Sequence, residues 1–474
     1  MVGIVSFGAY VPYYRLARSD ISKMWGSFGG KGERAVANLD EDSVTMSVAA
    51  GMDCLHRGNT GKIDGLYFSS TTAPYIEKQS SSMVAAALDF GQDLFTLDFS
   101  GSLRGGTGAI RAAMDAVKSG SAANIMVCAS DVRMGFPNSS NEKNFGDGAG
   151  ALLIGRNNVI ASIEGHHGCC NEILDVWRSD RDRFVRSWEG RFIRDAGYET
   201  IVQKTVFAAL EKYNLTPDDF SKAIFSAPNA RFANIAAKKC GFDPKSKMQD
   251  LLDGTIGDTG TALPIMLLTS ALDEAKAEDR LLLVSYGDGC DVFILKVTEE
   301  IENVRNNKSE IKKYIASKRM TSYDKYLRWR QVLPVDPPAR PPDDQSRPSA
   351  PALWRDVQGG MGLYGVKCRH CGSPQYPIQR VCYKCKTKDN FDRYRFADKK
   401  AKLTSFSHDM LSASLDPPTT VCAVDFEGGG RIMCDMTDRD PDEVQVDIPV
   451  EMTFRRLFYG ANFYTYWWKC RPLR

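Results

Sequence analysis

The chain repeats itself. Asp64-Gly65-Leu66-Tyr67-Phe68-Ser69 returns as Lys222-Ala223-Ile224-Phe225-Ser226. Asn144-Phe145-Gly146-Asp147-Gly148-Ala149 returns as Ser285-Tyr286-Gly287-Asp288-Gly289-Cys290, and an apolar run follows each copy, over 151–154 and 292–297. The matches come in the same order, so one unit has been duplicated in tandem, and a unit with an unburied apolar face is completed by its copy. Within each copy short apolar strands alternate with helical patterns, the signature of an α/β fold. Each Gly-Asp-Gly is expected to close a hairpin at an equivalent place.

The 474 residues exceed one ordinary core, which points to two to four folding units. Lys and Arg number 61 against 59 Asp and Glu, and no basic block interleaves with aromatics, so nucleic acid is not an expected partner. The opening run is broken by Gly8 and Pro12 and reads as a strand and turn, not a signal peptide. No stretch approaches the ~18 continuous apolar residues of a membrane span. The expected location is therefore cytoplasmic, where most of the 13 cysteines stay reduced as small buried hydrophobes.

Four cysteines are different. Cys368 and Cys371 form one C-x-x-C knuckle, Cys382 and Cys385 a second, with ten residues between them. That spacing places four thiolates around one tetrahedral zinc ion with no open position, so the metal is structural. His370 lies inside the first knuckle and is not needed as a ligand. His166 and His167, before Gly168-Cys169-Cys170, have no second ligand pair and read as a surface loop. Before the knuckles, residues 300–326 are charged and helix-prone, and residues 334–342 are a Pro-rich linker. After them, strands over 402–407, 420–426 and 431–436 separated by Gly and Pro suggest a small β-barrel. The aromatic end, Phe463-Tyr464-Thr465-Tyr466-Trp467-Trp468, alternates as a barrel core would. The expected organisation is two α/β halves over 1–160 and 161–300, a helical segment and linker over 301–358, a zinc ribbon over 359–395 and the barrel over 396–474.

Several stretches carry a resemblance. Ser70-Thr71-Thr72-Ala73-Pro74-Tyr75, Asn144-Phe145-Gly146-Asp147-Gly148-Ala149-Gly150-Ala151 and Phe225-Ser226-Ala227-Pro228-Asn229-Ala230-Arg231-Phe232 resemble the thiolase superfamily, in its 3-hydroxy-3-methylglutaryl-CoA synthase branch and ketoacyl synthase III relatives. Asp175-Val176-Trp177-Arg178 followed by Gly190-Arg191-Phe192 resembles the synthase branch in particular. The C-terminal part, ending in Arg455-Arg456-Leu457-Phe458-Tyr459-Gly460, resembles the zinc ribbon and OB-fold domain that accompanies acyl-CoA enzymes. The resemblance implies a duplicated thiolase fold of layers αβαβα followed by a zinc ribbon and an OB-fold. It also implies a CoA thioester as substrate and a homodimer, with an acyl-CoA enzyme as a further partner.

The family's catalytic residues do not carry over. Where the synthases have a nucleophilic cysteine, in a turn between an apolar strand and a Gly/Ala-rich helix, this chain has Leu103. Their glutamate is Thr71, their histidine is Ser226, and the asparagine of their Gly-Asn-Thr motif is Asp258. No histidine occurs between His167 and His370. Ser102 adjoins Leu103, but a serine nucleophile needs a positioned base and none is evident.

What remains suits aldol or retro-aldol chemistry without an acyl-enzyme. Gly287 and Gly289 of the second Gly-rich turn are candidate oxyanion donors, with Ser226 adding a hydroxyl. Asp258 is the candidate acid or base, its pKa expected to be raised by burial, with a helix N-cap as its alternative role. Tyr286 is a candidate proton donor, and Asp288 is a candidate that also suits a tight turn. Asn229 and Arg231, with Ser102, Leu103 and Thr71, are expected on the substrate side, Arg231 toward CoA phosphates. Two other readings stand beside this one. The first is the orthodox reaction through another thiol, Cys290 or Cys128. The second is a non-catalytic scaffold that binds CoA esters or an active partner.

Overall fold

The computed structural model describes residues 1–28, 30–58, 60–305, 311–336, 349–412, 414–460 and 462–474. Most of the Pro-rich linker, residues 337–348, lies outside the described residues. The chain forms two compact units. The first is Met1–Ala37, Asp42–Ser82 and Gln92–Tyr323; the second is Asn38–Glu41, Met83–Gly91 and Asp324–Arg474.

The first unit is built on a nine-stranded sheet. Its strands are β1 (Gly3–Tyr10), β2 (Gly65–Ser69), β3 (Phe95–Phe99), β4 (Ile125–Asp131), β5 (Gly148–Gly155), β6 (Ala161–Cys170), β7 (Lys222–Phe225), β8 (Arg280–Tyr286) and β9 (Gly289–Val297). Their order, β7-β8-β9-β6-β1-β5-β4-β2-β3, displays the duplication. On each side of the central β6–β1 pair the sheet runs outward through an antiparallel strand to a parallel pair, β4–β2 in one half and β8–β7 in the other.

Five helices matter here: α1 (Ser43–His56), α2 (Gly105–Ser119), α3 (Thr200–Tyr213), α4 (Ala230–Lys239) and α5 (Leu263–Glu274). Asp42 caps α1 in a reciprocal box, accepting from Val44 N and Thr45 N at 3.0 Å each while Thr45 Oγ1 accepts from Asp42 N at 2.9 Å. Strand alternation divides the second half between two cores. Leu281, Leu283, Phe293 and Leu295 face one core, which also holds residues of α2, α5 and the first half. Leu282, Val284, Val292 and Ile294 face the other, with α3 and α4. Helices α2 and α5, equivalents in the two copies, thus share one core.

Three expectations are corrected. Only the second Gly-Asp-Gly closes a hairpin, between β8 and β9. The first stands at the start of β5, and a long excursion separates it from β4 because Asp147 is buried, with its Oδ2 accepting from Ala37 N at 2.7 Å. His166 and His167 are in strand β6, not a surface loop, with partners Phe293 and Val292 across the ladder. The helix-prone stretch 300–326 is interrupted by a strand, Arg319–Thr321, because it pairs in parallel with Tyr14–Ala17.

The second unit contains a three-stranded ribbon, β10 (Tyr364–Cys368), β11 (Pro374–Gln375) and β12 (Phe391–Arg395). Five further strands follow: β13 (Ala401–Asp409), β14 (Thr419–Phe426), β15 (Arg431–Asp435), β16 (Pro449–Gly460) and β17 (Phe463–Pro472), in the order β15-β14-β13-β16-β17. The barrel seam is narrow: Met436 bridges Cys470, and Thr437 N donates to Cys470 O at 2.9 Å. Trp468 and Tyr466 are buried, and Phe454 meets Trp468 edge-on at 5.4 Å, as the aromatic alternation requires. Among the described residues no helix is long and apolar enough to cross a membrane.

Candidate active site

The Leu103 turn joins β3 to α2. Its neighbour in the other copy is Gly287: a Cβ built there would lie 3.0 Å from Arg104 N and 3.1 Å from Leu103 Cβ. A side chain there would crowd the turn, so its neighbours would have to give by a few tenths of an ångström. The Gly287 N–H is not free to meet a substrate, because it donates to Gly289 O at 3.0 Å within the hairpin. Among the described residues, the N–H groups of Leu103 and Arg104 donate to no protein acceptor. Both lie at the N-terminus of the 15-residue helix α2, Arg104 as its N-cap and Leu103 just before it, where main-chain donors and the helix dipole both favour negative charge. Arg104 itself donates to Cys169 O at 2.9 Å and to Asp291 Oδ1 at 3.3 Å, and Thr107 Oγ1 donates to Asp291 Oδ2 at 2.8 Å. Ser102 Oγ is buried without a hydrogen-bond partner among the described residues.

Thr71 is organised by a residue that sequence reasoning missed. Asp131 ends β4 and is fully buried. Its Oδ1 accepts from Ser70 Oγ at 3.0 Å, Thr71 N at 2.7 Å, Thr71 Oγ1 at 3.0 Å and Thr72 Oγ1 at 2.8 Å. Its Oδ2 accepts from Thr261 N at 2.8 Å and Thr261 Oγ1 at 3.0 Å. One carboxylate therefore ties the Thr71 turn of the first copy to the start of α5 in the second. The available signal was its place, a carboxylate at the C-terminal end of an apolar strand, where α/β folds put function.

Asp258 lies two residues before the short 3₁₀ turn Gly260–Ala262 that leads into α5. It is buried, and its Oδ1 accepts from Gly260 N at 2.9 Å. Its Oδ2 pairs with Arg133 at 3.0 Å, and the Arg133 guanidinium also stacks 4.0 Å over the Phe145 ring. Asp258 and Asn229 line one small cleft with Pro228, Asp253, Gly257 and Leu263. Asn229 caps α4, its Oδ1 accepting from Phe232 N at 3.1 Å. Arg231 is exposed on the first turn of α4. Ser226 follows β7 and is buried; its N donates to Val284 O at 2.9 Å, and its carbonyl accepts from Tyr198 OH at 3.0 Å.

Tyr286 is buried and turned away from open solvent, donating to Asp175 Oδ2 at 2.6 Å. Burial, and then the Asp175 carboxylate, push its phenol well above the usual range. Asp288 is exposed at φ +46°, and its carbonyl accepts from Asn171 N at 3.2 Å. Gly289 is buried beside Cys169, where a Cβ would meet Cys169 O at 2.1 Å. The structure thus gathers Leu103, Arg104 and Gly287 at one contact, and Thr71 with Asp131 and Thr261 at another. Arg231 and Asp288 stand on the surface.

The thiols considered as replacement nucleophiles are poorly placed for that role. Cys128 and Cys290 are fully buried in β4 and β9. Burial pushes both thiols upward, Cys290 further helped by neighbouring Cys169.

In the second unit the sulfur atoms of Cys368, Cys371, Cys382 and Cys385 all lie within 4.8 Å of one another. Cys368 and Cys385 are 3.6 Å apart, Cys371 and Cys382 3.5 Å. Zn–S bonds of about 2.3 Å in a tetrahedron put sulfurs about 3.8 Å apart, so this donor set fits the ion. The two knuckles are shaped by main-chain bonds, Gly372 N to Cys368 O at 2.9 Å and Lys386 N to Cys382 O at 3.0 Å.

A duplicated α/β sheet, with the strand-turn-helix of one copy pressed on the Gly-rich hairpin of the other, defines a protein of the thiolase superfamily. Residues 97–167 match the family described as 3-oxoacyl-[acyl-carrier-protein] synthase III, and residues 210–296 match its C-terminal domain. Residues 394–455 match the ChsH2 C-terminal OB-fold domain. The chain is 33% identical over 337 residues to a hydroxymethylglutaryl-CoA synthase of Pyrococcus horikoshii, covering 70% of this chain and 96% of that one. It is 31% identical over 343 residues to that of Methanopyrus kandleri, covering 70% and 98%. A solved structure of MvaS in complex with 3-hydroxy-3-methylglutaryl coenzyme A shares the fold, with a TM-score of 0.62 and 20% identity over 73% of this chain and 94% of that one. The chain belongs to the hydroxymethylglutaryl-CoA synthase family, joined here to an OB-fold unit.

Proposed function

We propose that this protein makes or breaks a carbon–carbon bond in an acyl-CoA thioester by aldol chemistry, with no acyl-enzyme. The observation that carries this reading is Leu103 in the nucleophile turn, against Gly287, with Cys128 and Cys290 buried elsewhere. The thioester oxygen is polarised by the Leu103 and Arg104 N–H groups at the N-terminus of α2. In the cleavage direction the Asp258 carboxylate takes the β-hydroxyl proton and the Cα–Cβ bond breaks. The β-carbon leaves as a carbonyl compound, the bonding pair becomes a thioester enolate, and the enolate takes a proton at Cα. Two of the carboxylate's hydrogen-bond positions hold Gly260 and Arg133, and the others remain for substrate.

A panel of β-hydroxyacyl-CoA thioesters, followed by chromatography for released carbonyl compounds and shortened thioesters, tests this. Turnover by the wild type that falls strongly in Asp258→Asn, with no covalent acyl adduct in the intact mass, is the expected result. Absence of turnover, or an acyl adduct on any side chain, overturns it. One observation favours the scaffold reading: Asp258 is ion-paired and caps the turn into α5, as a structural aspartate would be. That reading is supported instead if CoA esters bind without turnover until a partner acyl-CoA enzyme is added.

The cysteine quartet fits a structural zinc held by Cys368, Cys371, Cys382 and Cys385. The homodimer is proposed to form along β3, an edge strand that leaves Phe95 62% and Leu97 39% exposed. Sedimentation of the wild type and of Phe95→Lys tests that surface.

A further inference from the structure

Three more thiols converge inside the OB barrel, apart from the zinc quartet. Cys422 on β14 stands directly across the ladder from Cys434 on β15. Cys470 on β17 reaches the same place from the other side of the seam, where its residue bridges Met436. Its sulfur lies 3.7 Å from the carbonyl of Asp435, the residue after Cys434. The neighbouring thiols of Cys422 and Cys434, together with burial, hold the Cys470 thiol well above its ordinary range. All three project to the inner side of the barrel, in step with Val424, Ile432 and Trp468. Their exposures differ: Cys422 and Cys470 are fully buried, whereas Cys434 is partly open to solvent.

We propose that this trio is an oxidation site, in which Cys434 reacts with a hydroperoxide and Cys470 resolves the product into a Cys434–Cys470 disulfide across the barrel seam. In the first step the Cys434 sulfur attacks the peroxide oxygen, giving a sulfenic acid and releasing water or an alcohol. In the second the Cys470 sulfur attacks the sulfenic sulfur; the S–S bond forms, and the hydroxyl leaves as a second water with the thiol proton. Two thiols have then lost two electrons to the peroxide. Cys422, across the ladder from Cys434, exchanges with the disulfide by thiol attack, which moves the S–S bond within the trio and releases one thiol without changing the oxidation level. The bond would clamp a seam otherwise closed by the Met436 bridge and the Thr437–Cys470 hydrogen bond. Access sets the order of events, because the oxidant meets only the partly exposed member directly.

Peptide mapping tests this on the full-length protein, treated with hydrogen peroxide and then alkylated. The expected product is a cross-linked Cys434–Cys470 peptide, two hydrogens lighter than its parts and split by dithiothreitol. In Cys470→Ser the expectation is a dimedone-labelled sulfenic acid at Cys434 or a Cys422–Cys434 disulfide; in Cys434→Ser, Cys422 and Cys470 stay reduced. The inference is overturned if the wild type oxidises at Cys170 and the zinc quartet while the trio remains fully alkylated. It is equally overturned if Cys470 oxidises as fast in Cys434→Ser as in the wild type. The first of these outcomes does not depend on any variant folding, since the wild-type map alone decides it.

Discussion

Replacing Asp131 tests whether one carboxylate joins the two copies of the fold at the site. Asp131→Ala removes the acceptor for six donors, two of them the main-chain N–H groups of Thr71 and Thr261. The hydroxyls of Ser70, Thr71, Thr72 and Thr261 can rotate to other acceptors, but the two N–H groups cannot. Each buried N–H left without a partner costs about 1–3 kcal/mol, so about 4 kcal/mol is expected for the pair. Asp131→Asn keeps one oxygen and presents an NH₂ to the other set of donors, which halves the loss to about 2 kcal/mol. Native-state hydrogen exchange of the Thr71 and Thr261 amides reads this directly. Opening should become easier by about a thousandfold in the alanine variant, since every 1.4 kcal/mol is about tenfold. Any acyl-CoA turnover should fall alongside, because Thr71 and the start of α5 lose their common anchor. If Asp131→Asn exchanges both amides as the wild type does, the carboxylate is not the link and the reasoning fails.

Other outcomes follow from the same geometry. Leu103→Cys places a thiol at the N-terminus of α2, where its pKa should fall; iodoacetamide should label it far faster than buried Cys128 or Cys290, and acetyl-CoA should leave an acyl mass absent from the wild type. Asp288 occupies a left-handed backbone position in an exposed turn, so Asp288→Gly should leave stability and turnover unchanged, whereas Asp288→Val should lose about 1–2 kcal/mol in thermal melts. Burial works to raise the pKa of Asp40, but the adjacent Lys469 and Arg455 outweigh it and hold it at about 2. A carboxyl depressed in the folded state contributes its stability above the unfolded pKa and loses it as pH falls, so about 2 kcal/mol should disappear between pH 4 and about 2; acid titration of Asp40→Asn should lack that limb. Elemental analysis should find one zinc per chain, and Cys382→Ser should lose it together with the heat stability of the second unit.

The duplication, the α/β class and the cysteine quartet were legible in the sequence because each is local: short echoes, alternating periods and a spacing of knuckles. The site was legible only where a residue sits inside a motif. Leu103 and Gly287 belong to such motifs, and the structure sets them against each other. Asp131 and Arg133 belong to none, since their partners Thr261 and Asp258 lie on the far side of the duplicated chain. The Gly287 N–H looked like an oxyanion donor because a Gly-rich turn exposes its backbone; the hairpin's own bond to Gly289 uses it. The histidine pair read as a surface loop because no second ligand pair accompanied it, yet the ladder opposite β9 holds it as strand. Local sequence carried no sign of that pairing.

At Gly146 a single methyl group would sit 1.7 Å from the carbonyl of Ile256 in the other copy, and Gly146 N donates to Asp258 O at 2.9 Å. Halves that touch through bare backbone cannot drift apart in sequence independently. A gene severed near residue 158 should therefore yield two fragments that are insoluble alone and regain structure only when expressed together. The ancestral repeat, once fused, has become an obligate pair in which each copy is the other's folding partner.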